Sequence, residues 1–449
     1  MPQSLFPDER HLGLLTDLYE LTMAAGYFAQ GMAGQAATFE LWVRRLPGCR
    51  NYLVAAGLEQ AVAFLQNWSF APQQIDYLRR HPVFRAIPAE WFEHLTTLRF
   101  TGDLWAIPEG TVVFAGEPLL RVTAPIEQAQ IIETFLITTI TIQTMIASKA
   151  ARTASAAQGR PVFDFGSRRA HGPQAGLLAA RAAFLGGCVG TSNTEAGRLL
   201  DIPTFGTQAH SWIMAWGDER EAFQRFAQHF PHAATLLIDT YDTIQGVKNA
   251  LASGAAMQAV RLDSGDLLVL SREVRHILDD AGRGDVKIVA SGDLNEYKIR
   301  DLLAAGAPID SFGVGTELVT SRDEPTLGVV YKLVEQETPK GRVGRFKLAS
   351  AKKTYPFAKQ VYRHANAAGV FERDEIDLSE PADGEPLLMP IMKAGRLIAP
   401  LPSLAESRAR CQQQLAHLPP ALHVLAPAAT AYRVEISPRL LDESRKIME

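Results

Sequence analysis

The sequence predicts an α/β protein, with a parallel α/β barrel in the middle of the chain and a second domain built from its ends. Between residues 160 and 320, seven short apolar runs end in Gly, Ser, Asp or Thr, and an amphipathic segment follows each. Alternating strands and helices of this length imply βαβ crossovers and a parallel sheet, and seven units favour closure into a barrel. The length of 449 residues corresponds to two or three domains at ~150 residues each.

The N-terminal segment has a different pattern, typical of an α+β domain. Apolar residues recur at helical spacing from Leu14 to Ala25, with Thr16 or Asp17 as the N-cap. TFELWVRRL (38–46) alternates like a strand, and GLEQAVAFLQNW (57–68) has the spacing of a helix. Residues 102–125 place short apolar runs between Gly and Pro, which predicts several short antiparallel strands.

The C-terminal segment returns to strand-like runs, VVYKLVEQ (329–336) and GRFKLAS (344–350), and then to an Arg- and Gln-rich helix near residues 404–418. We expect this segment to pack on the N-terminal one. The predicted domains are therefore 1–125 and 331–449, which together form one domain, and 126–330, which forms the barrel.

Composition excludes several classes of protein. A net charge of −4 argues against binding to nucleic acid or to an anionic membrane surface. Cys49, Cys188 and Cys411 have no CxxC spacing, which excludes a Cys-rich zinc site and favours a reducing, cytoplasmic compartment. The N-terminus has no signal-peptide pattern. Residues 134–148 fall short of the ~20 apolar residues that a membrane span requires, so they predict a buried helix.

Polar residues and glycines follow the seven runs. The carboxyl ends of parallel strands share one edge, where α/β proteins bind their ligands, so these residues are expected to face one site. The candidates are Phe165, Arg168, Ser192, His210, Asp239, Arg261, Asp263, Gly292, Asp293, Gly313, Gly315 and Thr316.

The residue types at these positions indicate an anionic ligand. The loops SGD (291–293) and GVGT (313–316) let backbone N–H groups approach a phosphate, although a glycine after a strand is commonly a plain turn. Arg261 suits phosphate oxygens and Asp263 suits metal-bound water or a sugar hydroxyl; a structural Arg–Asp pair is the alternative.

Two further positions have both a functional and a structural interpretation. Phe165, three residues before Arg168, suits a planar ring with a carboxylate, whereas a Phe in a strand is usually a core residue. His210 lies between an apolar run and a helical segment, where a histidine is often a satisfied core residue.

The order and spacing of the motifs resemble the nicotinate phosphoribosyltransferases over nearly the whole chain. The matching stretches are LTDLYELTMAAGY (15–27), FELWVRRLP (39–47), FDFGSRRA (163–170), FGTQAHSW (205–212), LLIDTYDT (236–243), VRLDSGDL (260–267) and FGVGTELVTS (312–321).

This resemblance implies a fold and a reaction. The fold is an irregular parallel α/β (TIM-like) barrel joined to an α/β sandwich domain formed by the N- and C-terminal segments. The reaction joins nicotinate to 5-phosphoribosyl 1-diphosphate and yields nicotinate mononucleotide and diphosphate, in the salvage of NAD. Magnesium and ATP hydrolysis assist it, and the family forms homodimers with shared active sites.

The resemblance also implies roles for particular residues. His210 would be transiently phosphorylated by ATP, Phe165 would stack on the pyridine ring, and Arg168 would bind the carboxylate. Tyr19 would reach the ring from the partner subunit. The phosphoribosyl diphosphate and its magnesium would be held by Arg261 and Asp263, with Asp239 as a second carboxylate near the metal, in a pocket lined by Gly292, Asp293, Gly313, Gly315 and Thr316.

The residue type at Ser192 indicates which pyridine substrate the protein uses, nicotinate or nicotinamide. The nicotinamide-using relatives have an Asp at this position, and a carboxylate there would repel nicotinate, whereas the Ser192 hydroxyl donates to it. The chain departs from the family at Phe357, where a glycine usually follows the proline, which leaves the turn near Lys359 in doubt.

Other functions remain open at this stage. A nicotinamide enzyme would have the Asp, and a quinolinate enzyme would need more basic residues for a dicarboxylate. A non-catalytic barrel that binds a phosphorylated ligand would tend to lose His210, Arg261 and Asp263, all of which are present. An aldolase-type barrel would need a catalytic lysine on a strand, and none of the seven runs has a lysine near its carboxyl end.

Overall fold

A computed structural model describes residues 10–347, 354–379 and 382–448. Contacts within the chain divide it into two compact units. The central unit consists of residues 145–325, and the terminal unit combines residues 1–144 with 326–449.

The helices and strands are numbered in chain order. The N-terminal part has α1 (Leu18–Ala29), β1 (Ala36–Val43), β2 (Leu53–Val54), α2 (Leu58–Asn67), α3 (Pro72–Arg80), α4 (Ala89–Thr97), β3 (Asp103–Ala106), β4 (Val112–Val113), β5 (Pro118–Pro125), α5 (Ile126–Ile131) and α6 (Glu133–Ala156).

The central part alternates strands and helices. It has β6 (Val162–Asp164), α7 (Pro173–Leu185), β7 (Gly190–Thr191), α8 (Thr194–Leu200), α9 (His210–Trp216), α10 (Glu219–His229), β8 (Thr235–Leu237), α11 (Thr243–Ala252), β9 (Ala259–Leu262), α12 (Leu267–Asp280), β10 (Lys287–Ala290), α13 (Glu296–Ala304), β11 (Ser311–Val314) and α14 (Thr316–Val319).

The C-terminal part is mainly strands. It has β12 (Val329–Thr338), β13 (Gly341–Gly344), β14 (Lys359–Ala365), β15 (Phe371–Leu378), β16 (Glu385–Pro386), β17 (Met389–Lys393), β18 (Arg396–Leu397), α15 (Leu404–Ala416), β19 (Arg433–Ile436) and α16 (Pro438–Met448).

Both ends of the chain contribute strands to the terminal unit, as the predicted fold class requires. Within the described ranges a seven-stranded sheet has the order β13-β12-β1-β5-β3-β17-β18, and a four-stranded sheet has the order β16-β14-β15-β19. The N-terminal β1 pairs with the C-terminal β12 in antiparallel register. Trp91, Leu41 and Leu104 are fully buried in the core of this unit, and burial of each such side chain contributes roughly 1.5–3 kcal/mol.

The central unit contains the predicted parallel sheet. Its described strands have the order β7-β6-β11-β10-β9-β8, and each neighbouring pair is parallel. The first strand of the unit, β6, thus lies beside the last, β11, as in a cyclic arrangement. Closure of the sheet into a barrel stays a prediction.

One of the seven predicted strands is wrong. The run PTFGTQAHS forms a single parallel bridge, between Thr204 and Thr191, although all seven runs lie in the described part of the chain. Pro203 cannot donate to a sheet, and Gly206 gives the backbone freedom to leave it, so pairing stops after one bridge. The chain then runs as a loop to α9, which begins at His210.

Two terminal helices differ from the prediction at their ends, and one predicted strand does not form where it is described. The first helix starts at Leu18, not Leu14, and Asp17 occupies the N-cap position. The run GRFKLAS is not a strand where it is described, because β13 ends at Gly344, and residues 348–350 lie outside the described residues. The predicted C-terminal helix forms from Leu404 to Ala416.

Glu20 on α1 is a fully buried carboxyl group. Its Oε1 accepts a hydrogen bond from Thr134 Oγ1 at 2.5 Å, and its Oε2 contacts Thr16 Oγ1. The Thr16 hydroxyl also donates to Ile131 O at 2.9 Å. A hydroxyl has one proton to donate, so both Thr16 contacts are satisfied when Glu20 is protonated and donates to Thr16. Burial raises the pKa of Glu20 to about 7.

We therefore expect Glu20→Gln to stabilise the protein at high pH. The pKa of Glu20 is raised from 4.5 to about 7 on folding, so the folded protein binds more protons between these values and its stability falls as the pH rises through this window. Gln has the donor and acceptor of the protonated acid at every pH. The thermal midpoint should rise by about 2–4 °C near pH 8 and change little near pH 5. Exposed Glu90→Gln is the control, and an equal pH dependence in wild type and Glu20→Gln would contradict the assignment.

The turn that the sequence left in doubt is formed, with Phe357 in a left-handed conformation at a φ of 65°. The Phe357 N–H donates to Val334 O at 2.7 Å. Lys359 Nζ donates to Tyr355 O and Phe357 O, each at 2.9 Å, and pairs with Glu40 Oε2 at 2.8 Å. These contacts stabilise a backbone conformation that suits glycine and is strained by roughly 1–2 kcal/mol in other residues.

The strain at Phe357 can be measured by comparing two truncations. At an ordinary position an alanine variant is more stable than a glycine variant. At Phe357 we expect the reverse: the free energy of unfolding of Phe357→Gly should exceed that of Phe357→Ala by about 1 kcal/mol, since both lose the ring and only glycine relieves the strain. If the alanine variant were the more stable, the left-handed conformation would be wrong.

Candidate active site

Two adjoining cavities lie at the carboxyl ends of the parallel strands of the central unit. The first has a volume of about 280 Å³ and the second about 210 Å³. Four predicted site residues line both cavities: Phe165, Arg168, Arg261 and Asp263. Ser192 and His210 line the first cavity alone, and Gly292, Asp293, Gly313, Gly315 and Thr316 line the second.

The wall shared by the cavities begins with Phe165, directly after β6. The Phe165 N–H donates to Val314 O at 2.9 Å, which joins the ends of two neighbouring strands. The ring lies against Gly313, where any Cβ would overlap it. A glycine in the second loop is therefore needed for the aromatic side chain to take its place in the site.

Buried Asp164 organises the turn after β6. Its Oδ1 accepts from the Gly166 N–H at 2.8 Å, and its Oδ2 accepts from Thr191 Oγ1 at 2.7 Å. Burial raises the pKa of the Asp164 carboxyl. The turn leads to Arg168, which is exposed and forms no ion pair among the described residues, so its guanidinium is available to an anion in either cavity.

Arg261 on β9 is the most highly connected side chain of the site. Its Nη2 lies 2.6 Å from Asp263 Oδ1, its Nε donates to Ser291 Oγ at 2.7 Å, and its Nη1 donates to Thr207 Oγ1 at 2.8 Å. The guanidinium carbon lies 5.6 Å from the centre of the Phe165 ring. These contacts fix the guanidinium at the boundary between the cavities.

Asp263 is ionised beside this arginine. Burial raises the pKa of the carboxyl, but the charge of Arg261 and hydrogen bonds from Ser291 and Arg261 outweigh burial and bring the pKa below its usual value. The backbone of Asp263 packs against Gly292, which has a φ of 87° and where a Cβ would overlap Asp263 O. The glycine of the SGD loop is thus required by a close backbone approach.

His210 is the first residue of α9 and faces the same carboxylate. Its Nδ1 lies 3.1 Å from Thr240 Oγ1, and its Nε2 lies 3.8 Å from Asp263 Oδ2. The imidazole is 40% exposed, so it is not the satisfied core histidine of the alternative interpretation. Thr240 orients the ring, and Nε2 stays accessible to a ligand.

Three residues of the site were not predicted: Gln208 and Thr207, which line the first cavity, and Thr240, which contacts His210. Gln208 is 4% exposed, and neither atom of its side-chain amide has a hydrogen-bond partner in the part of the chain that the structure describes. Buried amides are normally paired, which indicates a ligand or water contact here. The position of Gln208 in the sequence could have indicated its role, because it lies two residues before His210 in a loop that faces the strand ends.

Asp239 lies outside the cavity linings and contacts the backbone of Asp263. Its Oδ2 accepts from the Asp263 N–H at 2.8 Å and from Ser264 Oγ at 2.7 Å, and its Oδ1 is buried with no partner among the described residues. The described ranges contain no cluster of three or more His, Cys, Asp or Glu side chains that could hold a metal alone. Magnesium usually takes one or two protein carboxylates and completes its shell with phosphates and water, so Asp239 and Asp263 fit it.

Tyr19 lies on α1 of the terminal unit and is 46% exposed. Burial of its hydroxyl and the nearby carboxylates of Glu133 and Glu20 raise the pKa of this phenol. Its predicted contact with a partner subunit's ligand stays a prediction.

Among the residues that the structure describes, no helix combines the length and the hydrophobicity of a transmembrane segment.

Comparison with known proteins shows the family to which the chain belongs. The chain matches the N-terminal domain of nicotinate phosphoribosyltransferase (NAPRTase) at residues 14–141, the NAPRTase family at 161–352 and the C-terminal domain at 370–443. It is 46% identical over 447 residues to a nicotinate phosphoribosyltransferase of Mycobacterium tuberculosis, covering 98% of this chain and 94% of the relative. It is 43% identical to the Bacillus subtilis enzyme, covering 79% of this chain and 74% of the relative.

Solved structures agree with the sequence matches. The human nicotinic acid phosphoribosyltransferase is 30% identical, with a TM-score of 0.86 over 96% of this chain and 99% of that one. A nicotinate-nucleotide pyrophosphorylase of Pyrococcus furiosus, at 24% identity and a TM-score of 0.76 over 93% of this chain and 99% of that one, shares the fold. With its strand-end site and its matches along nearly the full length, this chain belongs to the nicotinate phosphoribosyltransferase family of enzymes.

Proposed function

We propose that this protein joins nicotinate to 5-phosphoribosyl 1-diphosphate, yielding nicotinate mononucleotide and diphosphate, with assistance from ATP and magnesium, as a step of NAD salvage. The observation that supports this most directly is the position of Arg261 and Asp263, which line both cavities. A ring in the first cavity and a phosphoribosyl group in the second would meet at this pair.

The first cavity suits nicotinate. Phe165 offers an aromatic face to the pyridine ring, and Arg168 offers a guanidinium to the carboxylate. Ser192 lines the same cavity, and its N–H donates to Asp164 O at 2.8 Å, so its hydroxyl is presented from an ordered backbone.

The second cavity suits the phosphoribosyl diphosphate. Backbone N–H groups of the two glycine-bearing loops and the guanidinium of Arg261 would bind its anionic oxygens. Asp239 and Asp263 would hold magnesium, which when bound neutralises charge on the leaving diphosphate.

The chemical step needs no general base on the protein. The pyridine nitrogen has a lone pair, which forms the bond to the anomeric carbon of the ribose as the bond from that carbon to the diphosphate oxygen breaks. The protein's contribution is to position the two reactants and to stabilise the anionic leaving group.

His210 would couple the reaction to ATP. In the tautomer that donates from Nδ1 to Thr240, Nε2 has a free lone pair. Nε2 attacks the terminal phosphorus of ATP, and ADP leaves with the electrons of the broken P–O bond. A phosphohistidine next to Asp263 would change the affinity of the site for diphosphate and bias the reaction towards product.

We propose a homodimer in which Tyr19 of each subunit completes the partner's site. Tyr19→Ala and Arg261→Ala subunits, each inactive alone, should regain part of the activity when mixed and allowed to exchange. Absence of any recovery in a confirmed mixed dimer would contradict shared sites.

The test of the function is a steady-state assay with phosphoribosyl diphosphate and magnesium. It compares nicotinate, nicotinamide and quinolinate, each with and without ATP. Nicotinate mononucleotide formed from nicotinate, and faster with ATP, is the expected result. Product from nicotinamide or quinolinate alone would indicate a different base, and no product from any base would leave a non-catalytic phosphate-binding domain.

Ser192 is expected to determine the preference for the acid. Ser192→Asp should lower kcat/KM for nicotinate by about tenfold or more, because two carboxylates would face each other in one cavity. Ser192→Asn is the matched control, with a similar size and no charge. An unchanged ratio of nicotinate to nicotinamide turnover in Ser192→Asp would show that another residue sets the preference.

A further inference from the structure

We propose that Lys149, outside both cavities, positions the two glycine-bearing loops that line the second cavity. This inference rests on the proposed function. Lys149 lies on α6, and its side chain is completely buried. Its Nζ lies 2.8 Å from Glu296 Oε2, 2.9 Å from Asp323 Oδ1 and 3.8 Å from Glu317 Oε2.

The partners of Lys149 lie on or directly after the helices that follow the two loops. Glu296 is the first residue of α13, which follows the SGD loop. Glu317 belongs to α14, which starts at Thr316 directly after the second loop. Asp323 lies in the turn after α14, and the neighbouring Arg322 N–H donates to Glu317 O at 3.3 Å. One ammonium group therefore joins the helix that leaves the first loop to the helix that leaves the second and to the turn after that helix.

The charges around Lys149 make this link specific. Arg152, also on α6, lies with Nε 3.2 Å from Glu296 Oε1, and both side chains are almost fully buried. The network thus contains two cations, Lys149 and Arg152, and the three carboxylates of Glu296, Glu317 and Asp323. Arg322 approaches Glu317 from the surface at 3.4 Å. Without Lys149, the carboxylates of Glu296 and Asp323 would lose their closest cation.

The presence of a buried ion pair of this kind is better explained by its control of the distance between the loops than by a gain in the stability of the protein. Desolvation of a buried lysine and its carboxylates costs several kcal/mol, and apolar replacements of similar size are often as stable. An ion pair does restrict the distance between its partners to a narrow range. The two loops must direct their N–H groups at one anion, and a misplacement of about 1 Å can cost about 100-fold in activity.

The residues that line the first cavity alone are fixed in a different way. The Ser192 N–H donates to Asp164 O, and the Asp164 carboxylate accepts from Thr191 Oγ1. His210 is positioned by its contact with Thr240. Loss of Lys149 should therefore weaken binding of the phosphorylated substrate more than binding of nicotinate. If Lys149 had only a structural role, its loss would lower the stability of the protein and would affect binding of the two substrates equally.

The experiment compares Lys149→Met and Lys149→Arg with wild type in the full-length protein. For Lys149→Met we expect the KM for phosphoribosyl diphosphate to rise about tenfold or more, with little change in the KM for nicotinate. Lys149→Arg retains the charge and should recover part of the loss. Inorganic diphosphate, titrated calorimetrically without nicotinate, should show the same loss of affinity independently of turnover.

Two further variants make the result decisive. Lys359→Met removes a second buried, ion-paired lysine, which pairs with Glu40 in the terminal unit, and should lower stability with both KM values unchanged. If Lys149→Met does not fold, Glu317→Gln removes the partner that is 14% exposed and should weaken diphosphate binding in the same direction.

The outcomes separate this inference from the proposed function. If wild type neither turns over nicotinate nor binds diphosphate, the proposed function is wrong. If wild type is active, and the Lys149 and Glu317 variants lose only thermal stability or shift both KM values equally, the positioning role of Lys149 is wrong.

Discussion

Arg261→Lys is expected to lower kcat/KM for phosphoribosyl diphosphate by about 100- to 1,000-fold. The guanidinium uses separate nitrogen atoms for Asp263, Ser291 and Thr207. An ammonium group is a single point charge that lacks the planar fork, so it cannot reproduce these contacts together, although the net charge is retained.

The same substitution should also change Asp263. The charge and hydrogen bonds of Arg261 are major causes of its lowered pKa, so a more distant cation should let that pKa rise towards its usual value. The limb of the pH–rate profile that reports on Asp263 should move to higher pH. Arg300→Lys, an exposed arginine on α13, is the control and should behave as wild type. Kinetic constants for Arg261→Lys within threefold of wild type would remove Arg261 from the catalytic machinery.

His210→Ala is expected to abolish acceleration by ATP and to retain the turnover that occurs without ATP. His210 lines the first cavity and its Nδ1 contacts Thr240, which leaves Nε2 as the nitrogen that can accept a phosphoryl group. The nucleophile of the reaction is the pyridine nitrogen of the substrate and not a side chain of the protein. Removal of His210 should therefore uncouple ATP hydrolysis without stopping bond formation.

Labelling with ATP that has a radioactive terminal phosphate tests the same residue directly. Wild type should incorporate label in an acid-labile, base-stable form, as phosphohistidine does, and His210→Ala should incorporate none. The control is His232→Ala, which replaces an exposed histidine of the central unit. Equal ATP stimulation in wild type and His210→Ala would assign the coupling to another residue.

Much of the site could be predicted from the strand-end pattern because parallel strands place the residues that follow them on one edge. Phe165, Arg168, Ser192, His210, Arg261 and Asp263 do line one cavity. Thr240 was not predicted, because a polar residue in a loop gives no sequence signal of the direction in which its side chain points, and Gln208 was missed although it lies two residues before His210. The third run was wrong as a strand because apolar patterning does not show where a proline and a glycine end sheet pairing.

The sequence by itself determined the fold class, the alternation of strands and helices in the central unit, and the residue types at the strand ends, since these depend on local periodicity and motif spacing. Only the tertiary structure decided which of these residues meet. The Lys149 network joins residues as distant in sequence as α6 and the turn after α14. The raised pKa of Glu20 depends on its burial in the folded chain, and the tolerated strain at Phe357 depends on Lys359 and a neighbouring strand. Burial and contacts between distant residues arise only when the chain is folded, and no local pattern encodes them.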